Sequence, residues 1–365
     1  MEPFKNIYNK KSIQHLASQI KSNFKSFDEE NFIKKALKNF NKMEMKERVV
    51  QISDNLHEFL PGPYKKNISI LIKTLKSQKN KDGLSGFILW PYSHYVETYG
   101  LEDFNTSMSA LYEITQRFTS EFGIRPFLEK EPDLVYKTLN IWVNDKNEHV
   151  RRLVSEGTRP NLPWGKKITH IEKQFPKNIK LLSKLKDDSS EYVRKSVANH
   201  MNDISWYNSE LTIKTLKKWK TTKNEELQWI CKQSLRTLLK QGNPEALTLM
   251  GFNSKSKSKV TDLKLSKPSI KEGDSFDLNF TLVNSEKKRT DFMVDYIIYY
   301  PKANGKLSPK TFKLKTLSLD PKESSIIRKK VNFKKVTTRT HYKGIHEVHI
   351  QVNGIVKSKV NFKLI

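Results

Sequence analysis

The sequence predicts a multidomain chain, first α and then β: a HEAT-like α-helical solenoid followed by an immunoglobulin-like β-sandwich. Three observations predict it. Up to residue 252 apolar residues recur at three and four positions, two segments repeat at an offset of 43 residues, and beyond residue 259 the period changes to two. Phe32, Ile33, Ala36, Leu37 and Phe40 form one helical stripe, with Ser26 and Glu29 placed as a capping box before it. The repeat reads Asp145-Lys-Asn-Glu-His-Val150-Arg151-Arg152 and again Asp188-Ser-Ser-Glu-Tyr-Val193-Arg194-Lys195. A degenerate third copy runs from Asn224 to Trp229 and Ile230, with Trp229 in the place of the valine. In each copy the acid sits near a helix start, the valine enters the core, and the basic pair projects along an inner helix, giving a ladder of cations on one face. Residues 253–259, from Asn253 to Lys259, alternate serine and lysine and read as a linker. From residue 260 to 365, Phe276-Asp-Leu278-Asn-Phe280-Thr-Leu282, Phe312-Lys-Leu314 and Val348-His-Ile350-Gln-Val352 alternate strictly. Turn signals stand at Gly273, Asn304-Gly305 and Asn353-Gly354, so about seven short strands are expected.

Composition narrows the function classes. The chain has 365 residues and a formal charge of +28, a field that attracts a polyanion, so nucleic acid is the leading partner. Residues 254–365 hold 25 Lys and Arg against 10 Asp and Glu, a net +15, so the strand-rich part is expected to touch the polyanion too. A single cysteine, Cys231, excludes an intrachain disulfide and a multi-thiolate zinc site. No apolar run of about 18 residues and no signal-like N-terminus is present, so the expectation is a cytoplasmic protein without a membrane partner.

Helical spacing extends one apolar stripe through Met108, Leu111, Ile114, Phe118 and Phe122, and Glu121 falls on the same side. A carboxylate there either pairs with a cation such as Arg125 or opens to a cleft that receives one, because an unpaired buried charge costs several kcal/mol. Asp203 reads as the end of the helix that begins near Glu191, a position the helix dipole disfavours, or as a simple loop acid. Trp164 and Trp206 read as aromatics of inter-repeat loops, facing a nucleotide or plugging the core.

Several segments in order resemble the AlkC family of bacterial DNA glycosylases over residues 3 to 252: Trp90-Pro91, His94 to Glu97, Thr115 to Phe122, Ile124 to Phe127, Val150 to Leu153, Ser155 to Pro160, Leu162 to Gly165, and Asn199 to Ile204. The resemblance implies a HEAT-like solenoid, no metal or organic cofactor, and hydrolysis of the N-glycosidic bond of methylated bases such as 3-methyladenine, and possibly 3-methylcytosine and 1-methyladenine. The strand-rich tail looks like the immunoglobulin-like domain of one subgroup. Carried onto this sequence, Glu121 and Asp203 match the active-site carboxylates, with Glu156 and Trp164 lining the site; Trp206 is added from its loop position. Arg152 and Arg159 resemble DNA-contacting residues, and Arg125, Arg151, Arg194 and Lys195 complete the expected cationic face. Ser205-Trp206-Tyr207 departs from the polar turn expected after the acid, which leaves lesion preference open.

The expected partner is therefore double-stranded DNA containing alkylated bases, bound by a monomer. Alkylation at a ring nitrogen makes the base a good leaving group, so the difficulty lies in the oxocarbenium-like sugar, which carboxylates stabilise. A non-enzymatic helical-repeat scaffold is the competing reading, and a nuclease is disfavoured because no paired-metal carboxylate cluster is legible.

Overall fold

The computed structural model describes residues 3–220, 224–336 and 339–365. Among them fifteen α-helices precede eight strands, and no helix is long and apolar enough to cross a membrane. The chain packs as two compact units, residues 1–207 with 224–230, and residues 208–223 with 231–365.

The first unit is built of short helices whose apolar stripes close on one another. Phe32 and Ala36 of helix Glu29–Ala36 are buried as the stripe requires, but its cap is Asp28, whose carboxylate accepts from the Asn31 N–H, and not Ser26. The 43-residue repeat has a physical cause visible in its hydrogen bonds. Asp145 accepts from the Asn147 N–H as Asp188 accepts from the Ser190 N–H, and each acid shapes the turn entering the next helix. Val150 and Val193 are fully buried. Arg151 donates to the carbonyls of Asp145 and Lys146, and Arg194 donates to those of Asp188 and Ser189. Each arginine also reaches the following copy: Arg151 grips Asp188 through two nitrogens at 2.6 and 2.9 Å, and Arg194 meets Glu226 at 2.8 Å. The first basic residue of each repeat therefore locks loop to helix and copy to copy. This corrects the expected cation ladder, since Arg151 and Arg194 are spent on internal acceptors. In the third copy Trp229 is part-exposed while Leu227 and Ile230 are buried, so it does not take the valine's place.

The second unit is a sandwich covered on one side by helices. Strands are β1 (Ser258–Leu265), β2 (Ser269–Ile270), β3 (Ser275–Asn284), β4 (Thr290–Pro301), β5 (Leu307–Leu319), β6 (Ser324–Asn332), β7 (Gly344–Val352) and β8 (Ile355–Leu364). One sheet runs β1-β3-β6 and the other β2-β8-β7-β4-β5, the two-layer order of an immunoglobulin-like domain. Phe276, Leu278, Phe280 and Leu282 of β3 meet Phe292, Val294, Tyr296 and Ile298 of β4 and Val348, Ile350 and Val352 of β7 in one core. Asn353 and Gly354 take positive φ of 45° and 81°, which closes the β7–β8 hairpin.

Strand β4 is buried on both faces over Phe292 to Ile298. Its outer face is covered from within the same unit by the chain between residues 231 and 256. Gln351 donates to the Lys240 carbonyl at 3.3 Å, and Asn353 donates to the Asn253 carbonyl and the Ser256 hydroxyl at 3.1 and 3.0 Å. Gly242 and Gly354 meet backbone to backbone, where a Cβ on Gly242 would stand 2.6 Å from the Gly354 oxygen. The polar segment 253–259 is thus anchored to the sandwich and does not run free.

Candidate active site

Arg152, Glu156 and Arg159 follow one another at four and three residues, so they stack on one side of helix Glu148–Glu156 and the turn after it. Ser196, His200 and Asp203 are spaced in the same way on helix Glu191–Tyr207, which packs against the first. Asp203 lies inside the last turns of this helix, not at its end as the sequence reading had it. The helix Phe104–Thr115 stops before the expected stripe is complete, and Glu121 stands on the following turn. Beyond its end Ser120 donates to the Leu111 carbonyl and Thr119 to Glu121, which ties the turn back to the helix.

The two polar stripes and the turn join in an alternating relay of acids and bases. Glu121 accepts from Arg152, whose same nitrogen also donates to the Thr119 hydroxyl at 3.1 Å. Arg152 next meets Glu156 at 3.3 Å, Glu156 meets Arg159 at 2.7 Å, and Arg159 meets Asp203 at 2.9 Å. All five side chains are 14 % exposed or less, so the relay is shielded from bulk water. Ser196 completes Glu156 with a 2.5 Å bond, and the Tyr192 ring lies 4.9 Å under the Arg152 guanidinium.

Asp203 is asymmetrically held. Its Oδ2 accepts from Arg159 Nε at 2.9 Å and from the Asn161 N–H at 3.3 Å, whereas Oδ1 accepts, among the described residues, one longer bond of 3.4 Å from Arg159. Burial pushes this carboxyl above the usual carboxylate range, outweighing the bonds from Arg159 that act the other way. Arg159 itself loses charge stability through burial but regains more from Asp203 and Glu156, and is held above its ordinary value. Beside it His200 is fully buried, its Nδ1 bonded to the Ser155 carbonyl at 2.9 Å, and burial with the Arg159 charge pushes it down to about 3. It is a neutral imidazole at neutral pH.

Arg125 was expected either to pair with Glu121 or to meet DNA; the structure contradicts both. Its guanidinium is 2 % exposed and donates to the carbonyls of Gly157, Arg159 and Lys166 at 2.9, 2.9 and 2.6 Å. Burial lowers it to about 10. It props the backbone of the turn that carries Arg159 and Asn161. Of the six basic residues read as a DNA face, Lys195 has the most exposed side chain, at 54 %, with a surface ion pair to Glu191.

Trp164 is 62 % exposed and adopts φ of 65°, a conformation that few large side chains take. Its ring stacks on Trp90 at 6.2 Å, and Trp90 stacks on Phe122 at 5.1 Å, so an aromatic column leads from the residue beside Glu121 to the surface. Lys46 fixes the strained turn by donating to the Trp164 carbonyl at 2.5 Å. Trp206, on the last turn of its helix and not in a loop, is 66 % exposed, which excludes a core plug. Sequence reasoning missed Thr119, Asn161, Tyr192, Ser196 and His200. Polar residues at helical spacing inside a buried helix, Ser196, His200 and Asp203, were the available signal.

Comparison with known proteins gives three findings. Residues 259–365 match the family described as the C-terminal Ig-like domain of the uncharacterised protein YhaZ. The uncharacterized protein YhaZ of Bacillus subtilis (strain 168) is 37 % identical over 365 residues, all of both chains. The alkylpurine DNA glycosylase AlkC of Pseudomonas fluorescens, solved bound to DNA containing an abasic site analog, superposes with a TM-score of 0.92 at 36 % identity over the whole of each chain.

Proposed function

Because the chain belongs to the AlkC-like family of alkylpurine DNA glycosylases, in the subgroup with a C-terminal immunoglobulin-like domain, we propose that it hydrolyses the N-glycosidic bond of alkylated, cationic bases in duplex DNA. The single observation that carries this reading is the shielded relay Glu121–Arg152–Glu156–Arg159–Asp203, in which three carboxylates face two guanidiniums. An excess of carboxylate suits a reaction that develops positive charge on a sugar. In water such charges would be screened; in a site of low exposure they keep most of their effect.

The chemistry divides among named atoms. With Oδ2 of Asp203 fixed by Arg159 and Asn161, Oδ1 is the oxygen free to orient a water and to take its proton as the sugar is attacked. Burial, which raises this carboxyl, makes it the better base. Glu121, on the turn beside the aromatic column, is assigned to the sugar or the cationic base, and exposed Trp164 to stacking against the unpaired nucleotide. The departing base already carries its charge, so no general acid is required. Exposed lysines such as Lys195, with the net +15 of residues 254–365, supply phosphate contacts, the second unit acting as a clamp on the duplex.

One observation favours the alternative of a non-enzymatic scaffold: each of the three carboxylates is already paired with arginine. Release of free base from a duplex carrying a single 3-methyladenine separates the two. Enzyme-dependent release leaving an abasic site is expected; tight binding with no release under single-turnover conditions would overturn the glycosylase.

A further inference from the structure

The cations Lys232, Arg236 and Lys240 fall at every fourth residue across helices Glu225–Ser234 and Arg236–Lys240, and all three line one cavity. Like charges at this spacing repel one another. On the sheet beneath, the parity of β4 divides its side chains. Phe292, Val294, Tyr296 and Ile298 enter the sandwich core, and Met293 and Asp295 therefore point to the opposite face, under the helices. A β-bulge between Val294 and Asp295 offsets the pairing with β5 and places Asp295 opposite Lys313.

These residues enclose a cavity of about 450 Å³, a volume that fits one small organic ligand and not a duplex. Its rim is cationic: Lys232, Arg236, Lys240 and Lys313. Its wall is apolar, with Leu239, Met250, Phe252 and Met293, and its floor is Asp295, 2 % exposed. The Lys313 ammonium is held below its ordinary value by partial burial and by the Lys232 ammonium beside it. Two ammonium groups crowd a rim above a single buried carboxylate.

We propose that this cavity is a binding site for a mononucleotide, with the phosphate monoester at the lysine rim, the base against Phe252 and Met293, and a base N–H donated to Asp295. Each part of the cavity has its complement in that one chemical class. The phosphate relieves the Lys232–Lys313 repulsion, the aromatic and thioether wall takes a flat ring, and a buried acceptor on the floor rejects a bare anion while accepting a donor edge. The site is separate from the Glu121–Asp203 relay and does not depend on the glycosylase reading.

Isothermal titration of the full chain with dAMP, inorganic phosphate and deoxyadenosine, paired with thermal melting, tests it. dAMP is expected to bind at least tenfold more tightly than either fragment and to raise Tm. Lys232→Met should weaken dAMP at least tenfold while leaving the ligand-free Tm equal or higher, because one repelling cation is gone. Equal affinity for dAMP and phosphate would overturn the proposal, and so would unchanged dAMP binding in Lys232→Met. Displacement of dAMP by an intact blunt duplex at the same phosphate concentration would also overturn it, by assigning the rim to a duplex footprint.

Discussion

Replacing Asp203 by asparagine keeps the side-chain shape and removes one charge from the relay. In the folded state its Oδ2 holds Arg159 Nε and the Asn161 N–H, while Arg159 retains Glu156 at 2.7 Å. Losing one buried charge-assisted bond of this kind costs about 1.5–3 kcal/mol. For a unit of this size that is a fall in Tm of roughly 3–12 °C. The catalytic effect is distinct. A unit charge about 4 Å from a developing cation, at an effective dielectric of about 20, is worth about 4 kcal/mol, and pairing with Arg159 cancels a share of it. Single-turnover excision should therefore fall between about tenfold and about a thousandfold, with intact-duplex affinity little changed. The assay is release of 3-methyladenine at saturating enzyme, well below the variant's Tm. Glu121→Gln should act in the same direction, and the double variant should lose less than the product of the single losses, because both acids act on one transition state. A lowered Tm with wild-type excision would refute the assignment and leave Asp203 as an ion pair that holds two helices together.

The repeat arginines and the surface lysine should separate stability from affinity: Arg151→Gln, which breaks the two-nitrogen grip on Asp188, should cost about 1–3 kcal/mol in urea unfolding and leave the salt dependence of duplex binding unchanged. Lys195→Gln should barely move stability but reduce the log–log salt slope by up to about 0.9 if it meets one phosphate. His200 makes the first unit acid-labile. Its folded-state pKa is depressed from 6.5 to about 3, so the unfolded chain takes a proton that the folded chain refuses, and stability should fall as pH drops from 6.5 towards 3, by up to about 1.4 kcal/mol per pH unit. His200→Gln should flatten that slope in denaturant titrations, and an unaltered slope would mean another group carries it. Truncation after Asn253 removes the strands that cover residues 231–252, including the Gly242–Gly354 contact and the bond from Gln351 to Lys240, so limited proteolysis should cut within 231–252. Protection of that stretch in the truncated chain would show that these helices stand without the sandwich.

Local periodicity and turn chemistry determined much of this protein. The change of period near residue 253 separates helices from strands, Asn353-Gly354 closes its hairpin, and the strict alternation of Phe276 to Leu282 sets the core face of β3, because these depend on neighbours within a few residues. The repeat was legible for the same reason, and the resemblance to AlkC-like chains named Glu121, Glu156, Trp164 and Asp203 by their motifs. Partners were not legible. Glu156 stands within four residues of Arg152 and Arg159, but their other carboxylates, and that of Arg151, lie 31 to 44 positions away, and only packing of helix Glu148–Glu156 against Glu191–Tyr207 and the Thr119–Glu121 turn brings those together. The same holds for Arg125, whose three carbonyl acceptors lie 32 to 41 residues along the chain, and for the helices after Cys231, which read as part of the solenoid yet pack with the sandwich. A charged side chain carries no sequence mark of whether it will be desolvated. That is settled by which surfaces close over it, and the energy of closing them comes from apolar residues elsewhere.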